Sequence, residues 1–323
     1  MSDRYGFPGV SASVVATIGG TPLVALERLC AGLPGLVLAK LESYGPGQSV
    51  KDRIARHMID EAERTGRLKA GGSIVELTSG NTGIGLALVS AVRGYRFYAV
   101  MSEGNSLERQ RILRALGAEV VLVPQAHGFR PGVVTGEDLL RVEQRAAELT
   151  AELGAFRPDQ FSNPDNVAAH AETTGPEIWE QTGGRVDCWV ASVGTGGTFL
   201  GVAGALKSRR PEIRCIAAEP ATARILAGCE VTSTAHKLQG TGYNLVPPQW
   251  DSALCDGFIG VTDEDAVETA RLLGTREGVC AGFSSGANVW AALQLAREAR
   301  EGSVIVTVCP DTGLKYLSTD LFP

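Results

Sequence analysis

A chain of 323 residues that is 44% hydrophobic and 20% charged can bury an enzyme-sized core, and its length allows one large or two medium domains. The net charge of −6, with no Lys/Arg-rich block, speaks against a nucleic-acid surface. No apolar run approaches the roughly 18 residues that span a membrane, and the first twenty residues lack the basic and apolar regions of a secretory leader. The seven cysteines (30, 188, 215, 229, 255, 280, 309) are scattered and never spaced C-x-x-C, which argues against a zinc knuckle or dithiol site. Reduced thiols in a cytoplasmic protein are expected.

Taken in chain order, the Gly45–Ser49 turn "GPGQS" hands over to a helix-like run that opens on Lys51. Short β-branched runs then alternate with helical stretches. "SIVEL" (73–77) precedes "NTGIGLALVSAVRG", "RFYAVM" (96–101) precedes "LERQRILRALG", and "EVVLV" (119–123) follows. Between 125 and 160 the pattern lapses into loops around one amphipathic helix at about 137–153, a candidate boundary between two α/β halves. Beyond it come strands at "DCWVASV" (187–193), "IRCIAAE" (213–219) and "SVIVTVC" (303–309). Strands apolar on both faces and spaced by helices predict mostly parallel sheets covered on both sides.

Three glycine phrases follow predicted strands and open predicted helices, the junction at which parallel sheets bind ligands and helix N-termini attract anions. "VGTGGTFLG" (193–201) offers close backbone approach at Gly194, Gly196 and Gly197 and hydroxyls at Thr195 and Thr198. It approaches a dinucleotide fingerprint, with Glu219 at the distance of a ribose partner, but Phe199 replaces the third glycine and a phosphomonoester fits better. "TSGNTG" (78–83) groups hydroxyls, an amide and glycines at a helix start, which suits a carboxylate without any arginine, or a plain N-cap. "GFSSG" (282–286) imitates a nucleophile elbow, but histidines 57, 127, 170 and 236 all precede it, the wrong order for that triad. These histidines lack metal-ligand spacing and are expected as solvated or core-edge residues; no metal site is expected. The charged "ERQRILRALG" helix reads as a solvated face with an apolar stripe.

A phosphate cradle, a carboxylate-binding turn and a lysine at a helix start together suggest Schiff-base chemistry with pyridoxal phosphate. The motifs "SVKDR" (49–53), "TSGNTG" (78–83), "QFSNP" (160–164), "TTGPEIW" (173–179), "GTGGT" (194–198) and "KYLST" (315–319) resemble the cysteine synthase family, which includes cystathionine β-synthase. The likeness runs from "IGGTPLVALERL" (18–29) to the C-terminus. The resemblance implies the fold type II α/β architecture of pyridoxal-phosphate enzymes, two domains with mostly parallel twisted sheets and the cofactor in the cleft between them. The expected division is 46–160 as the smaller domain, carrying the carboxylate loop, with 1–45 and 161–323 as the larger, phosphate-binding domain.

Carried over residue by residue, the resemblance makes Lys51 the Schiff-base lysine and general base. It gives Asn81 to the cofactor's 3′ oxygen, Gly194, Thr195, Gly196, Gly197 and Thr198 to its phosphate, and Thr312 to its pyridine nitrogen. Thr78, Ser79, Thr82 and Gln160 would hold the substrate carboxylate, with Gly240 and Tyr243 beside the substrate. The implied reaction is β-replacement on an O-activated L-serine through an aminoacrylate, by default O-acetyl-L-serine and sulfide giving L-cysteine and acetate, in a homodimer. Departures are Gly45 where the family usually has Asn, "GTGYNLVP" (240–247) with its cystathionine-synthase-like Tyr243, and a long 125–159 segment. They leave open serine or O-phosphoserine as donor, homocysteine or a non-sulfur nucleophile, and net β-elimination. The haem segment and regulatory domain of a full cystathionine β-synthase are not expected. A binding-only scaffold is the remaining rival, disfavoured by the intact Lys51, Asn81 and phosphate loop.

Overall fold

The computed structural model describes residues 9–132, 134–243 and 245–322. In chain order its strands and helices begin with β1 (Leu23–Ala25), β2 (Leu36–Leu41), α1 (Lys51–Arg64), β3 (Ser73–Leu77) and α2 (Asn81–Arg93). There follow β4 (Arg96–Ser102), α3 (Leu107–Ala115), β5 (Glu119–Val123), α4 (Gly136–Leu153) and α5 (Asp165–Ala169). A π-helical turn at His170–Thr174 joins α5 to α6 (Gly175–Gln181). The chain continues through β6 (Cys188–Ser192), α7 (Gly197–Lys207), β7 (Arg214–Pro220) and β8 (Gly257–Val261). It ends with α8 (Asp263–Glu277), α9 (Phe283–Glu298) and β9 (Val304–Cys309).

The chain divides into two compact units. One comprises the segment ending at Ile18 together with Lys51–Asp165; the other comprises Gly19–Val50 and the chain from Asn166 onward. In the smaller unit β3, β4 and β5 form a parallel three-stranded sheet. Its alternating side chains sort by face, as a period of two requires. Ile74, Phe97, Ala99 and Met101 pack with Ile59 of α1, Leu86 of α2 and Leu113 of α3, while Val75, Tyr98, Val100 and Val123 meet Val142, Ala146 and Leu149 of α4. Val15 and Ile18 bury themselves in the first of these layers, so the segment ending at Ile18 belongs to the smaller unit; the chain passes between the units again after Val50 and after Asp165.

Helix α4 starts where the amphipathic pattern does because Thr135 and Asp138 form a reciprocal capping box. The Asp138 carboxylate also accepts from Ala126 N–H at 2.7 Å, and backbone donors from Thr135 and Ala126 hold its pKa down to about 2. One side chain thereby pins the start of the long 125–135 loop to its own helix.

The larger unit holds a six-stranded sheet in the order β1-β2-β9-β6-β7-β8, parallel except for the β1–β2 pair. One face packs Val37, Val190, Ile216 and Ile305 with α8 and α9; the other packs Trp189, Ala191, Cys215 and Val306 with α6 and α7. Lys40, next to last in β2, is fully buried. Its ammonium meets Glu177 at 2.7 Å, Gln181 Oε1 at 2.8 Å and the Thr21 carbonyl at 2.7 Å, so the buried charge is neutralised and hydrogen-bonded.

Candidate active site

The expected site residues fall into two sets, one on each unit. On the smaller unit Lys51 is the first residue of α1 and half-buried, so its amine projects from a helix start rather than a solvated helix face. Helices α1 and α2 run close together because residue 85 is glycine: a Cβ there would stand 2.9 Å from the Lys51 carbonyl oxygen. The N-terminal residue of α2 is Asn81, with Gly80 at the N-cap.

The loop entering α2 concentrates donors. Thr78 Oγ1 accepts from Gly83 N–H at 2.9 Å, which fixes the turn, and the first backbone N–H groups of α2 have no carbonyl one turn back within the helix. Thr82 Oγ1 donates to Gln160 Oε1 at 2.7 Å, which presents the nitrogen end of that amide as its donor. Ser79 Oγ accepts from Arg109 Nη1 at 3.3 Å. That contact corrects one expectation, because helix α3 is more than a solvated face: it places an arginine behind the 78–83 loop. The pattern was not legible because Arg109 is thirty residues from Ser79.

Gln160 is held by a structure the sequence did not reveal. Phe156 bridges to Ile74 and exchanges hydrogen bonds with the β3 backbone, donating to the Ser73 carbonyl at 2.9 Å and accepting from Val75 N–H at 3.0 Å. Three residues on, Asp159 adopts a left-handed backbone at φ +47°, and its N–H donates to the buried Glu76 carboxylate at 2.8 Å. Burial raises the Glu76 pKa to about 8, against the pull of the Asp159 N–H and Arg157.

On the larger unit Gly194–Thr198 spans the turn after β6 and the first two residues of α7. Gly196 takes φ +89°, open to glycine and strained for other residues. Neighbours crowd the other glycines: a Cβ at 194 would lie 2.1 Å from the Gly240 carbonyl oxygen, and one at 197 would lie 1.9 Å from Asn166 Oδ1. Gly240 is thereby a wall of this turn, and Tyr243 lies beside it, its ring 3.7 Å from the same Gly194 position. Thr195 Oγ1 accepts from Asn166 Nδ2 at 2.9 Å, and Thr198 Oγ1 lies 3.1 Å from His170 Nε2. First-turn N–H groups, two hydroxyls and the positive helix end make a donor set that fits a phosphate monoester. Glu219 is not a ribose partner: its carboxylate accepts from Leu226 and Ala227 N–H at 2.8 and 3.1 Å and belongs to the following turn.

Thr312 caps the short helical turn Gly313–Tyr316, its hydroxyl oxygen accepting from Leu314 N–H at 3.3 Å. An oxygen that accepts from the backbone keeps its own proton to donate, the polarity an unprotonated pyridine nitrogen requires. His170 is fully buried, unlike the solvated or core-edge residue expected. In "GFSSG", Gly282 caps α9 and both serines are buried, so it is a helix start and no exposed elbow. Among the described residues no group of His, Cys, Asp or Glu could hold a metal, and no helix is long and apolar enough to cross a membrane.

Comparison with known proteins extends this likeness over the chain. A cysteine synthase from Staphylococcus aureus is 43% identical over 311 residues, 96% of each protein. The structure superposes on O-ureido-L-serine synthase with a TM-score of 0.87 at 43% identity, covering 97% of this chain and 95% of the other. It superposes on O-acetyl serine sulfhydrylase isoform 3 from Entamoeba histolytica with a TM-score of 0.90 at 38% identity, covering 98% and 93%. The turn geometry, the lysine at the start of α1 and a family match over residues 14–311 agree: the chain belongs to the pyridoxal-phosphate dependent enzyme family.

Proposed function

We propose that the protein replaces the β-substituent of an O-activated L-serine, with O-acetyl-L-serine and sulfide as substrates and L-cysteine and acetate as products. The observation that carries this reading is the loop 78–82 with Gln160, a neutral donor set shaped for an α-carboxylate on the same unit as Lys51. The names of the cysteine synthase and sulfhydrylase relatives support it. In this reading Gly194–Thr198 holds the cofactor phosphate, Asn81 its 3′ oxygen and Thr312 its ring nitrogen, while Lys51 is the point of covalent attachment. Bound there, pyridoxal phosphate supplies the electron sink that lets an amino acid lose its Cα proton. Lys51 Nζ, at the start of α1, would take that proton as general base. Thr78, Ser79, Thr82 and Gln160 orient the carboxylate, and the neutral Thr312 hydroxyl leaves the ring nitrogen unprotonated, which favours elimination and replacement over transamination. We assign the carboxylate loop to the smaller domain and the phosphate loop to the larger, in a cytoplasmic homodimer whose mass light scattering should read as two chains.

A second reading keeps the chemistry and changes the partners. Tyr243 is 46% exposed beside Gly194, and the O-ureido-L-serine synthase is as similar as the cysteine synthase, which favours a different nucleophile at that pocket. The test is the absorbance of the purified protein during separate additions of serine, O-phosphoserine and O-acetylserine. A lasting red-shifted band with O-acetylserine, and its decay to cysteine on adding sulfide, is expected. The band with another donor, or its indifference to sulfide, would replace the first reading by the second.

A further inference from the structure

Behind the Gly194–Thr198 turn stand two buried polar side chains that the proposed chemistry does not use. Asn166 and His170 are both completely buried and sit four residues apart, one turn along the same helical face. The face abuts α7 closely because residue 201 is glycine: a Cβ there would meet the Val167 carbonyl oxygen at 2.4 Å and His170 Cβ at 2.6 Å. At His170 the helix passes into its π turn, a widening that recurs at functional sites. Each residue reaches one hydroxyl of the phosphate turn: Asn166 Nδ2 donates to Thr195 Oγ1 at 2.9 Å, and His170 Nε2 meets Thr198 Oγ1 at 3.1 Å. The other imidazole nitrogen, Nδ1, meets Thr174 Oγ1 at 2.8 Å.

A hydroxyl has one proton and two acceptor positions. A threonine that accepts from behind is free to donate forward; one that donates backward presents only lone pairs to an anion. Asn166 imposes the first state on Thr195. For Thr198 the outcome depends on the imidazole tautomer. A neutral ring carries its proton on one nitrogen, so Thr198 donates forward only if Nε2 bears it and Nδ1 accepts from the Thr174 hydroxyl.

We propose that Asn166 and His170 are positioning residues for the cofactor phosphate, orienting the hydroxyls of Thr195 and Thr198 toward it, with His170 held as the Nε2–H tautomer by Thr174. This rests on the assignment of Gly194–Thr198 as the phosphate turn. Chained donors polarise one another, which strengthens the final bond to the anion.

The test compares binding of pyridoxal phosphate and of pyridoxal, which lacks the phosphate, to the apoprotein, following the absorbance of the lysine-bound chromophore. Asn166→Asp replaces the donor by an acceptor, and His170→Asn keeps only the Nδ1 position; each should weaken pyridoxal phosphate at least about tenfold, as expected for a lost bond to a charged acceptor, and pyridoxal less than about threefold. His170→Gln, whose amide nitrogen reaches the Nε2 position, should retain most of the affinity. If both ligands weaken in parallel, or neither does, the residues are core packing and the proposal fails. Thr198→Val separates this from failure of the phosphate assignment, since an unchanged preference for the phosphorylated ligand in that variant removes the assignment itself. Should the His170 variants not fold, nitrogen-15 spectra of labelled histidine in the wild-type holoprotein decide, because a proton on Nδ1 overturns the relay.

Discussion

The carboxylate of Glu76 accepts a hydrogen bond from the backbone N–H of Asp159, one residue before Gln160. A glutamate titrates near 4.5 in the unfolded chain, and burial lifts this one to about 8. Between those values the folded protein keeps a proton that the unfolded chain has released. The stability contributed is therefore full below about 4.5 and lost as pH rises toward 8. Glu76→Gln has nothing to titrate there, and its amide oxygen can still accept from Asp159. Denaturant unfolding at pH 5, 6.5 and 8 should show the variant gaining on wild type by up to about 1.4 kcal/mol per pH unit. A gap that stays constant with pH would mean that Glu76 is ionised throughout.

Arg109 acts on the proposed carboxylate loop through Ser79, whose oxygen accepts from the guanidinium and whose proton is thereby directed elsewhere. Arg109→Ala should raise the KM for the amino-acid substrate about five- to thirtyfold, the worth of one charge-assisted bond, with a smaller effect on kcat. Arg109→Lys should restore part of the loss. A fall in kcat at unchanged KM would place the arginine's effect on a later step than binding.

Thiol reactivity should divide by burial. Cys188, Cys215 and Cys309 have their pKa pushed up to about 12 by burial, whereas Cys229 and Cys280 are exposed. A colorimetric disulfide reagent should label Cys229 and Cys280 first in the native protein and Cys188, Cys215 and Cys309 only after denaturant is added. Early labelling of Cys309, read by peptide mass, would show that the β9 end of the sheet opens in solution.

The strands legible in the sequence were those buried on both faces, such as Ser73–Leu77 and Val304–Cys309, because their apolar runs are uninterrupted. Leu36–Leu41 escaped because Lys40 breaks its run, and only the fold brings Glu177 and Gln181 to that lysine. Gly257–Val261 escaped because its two glycines read as loop, and Leu23–Ala25 is too short to show a period. The two turns proposed to bind ligands were visible because glycines and hydroxyls cluster locally. What stands behind them was not: Arg109, Glu76 and His170 carry no spacing signal, and their contacts with Ser79, Asp159 and Thr198 lie 28 to 83 residues away.

Two glycines of α7 give opposite expectations from the same substitution. A Cβ at Gly197 would stand 1.9 Å from Asn166 Oδ1, and Asn166 is completely buried and cannot swing away. A Cβ at Gly204 would meet nothing closer than Leu254 Cδ1 at 3.8 Å, an ordinary contact. Gly197→Ala should therefore distort the turn proposed to hold the phosphate and be purified with little bound pyridoxal phosphate, read from its visible absorbance against protein content. Gly204→Ala should keep the cofactor and gain up to about 1 kcal/mol from helix propensity, seen as a higher Tm by circular dichroism. A fully loaded Gly197→Ala protein would show that the turn yields more readily than its packing against Asn166 implies, and would weaken the assignment of residues 194–198 to the phosphate. If Gly204→Ala also lost cofactor, the defect would lie in α7 as a whole rather than in its first residue.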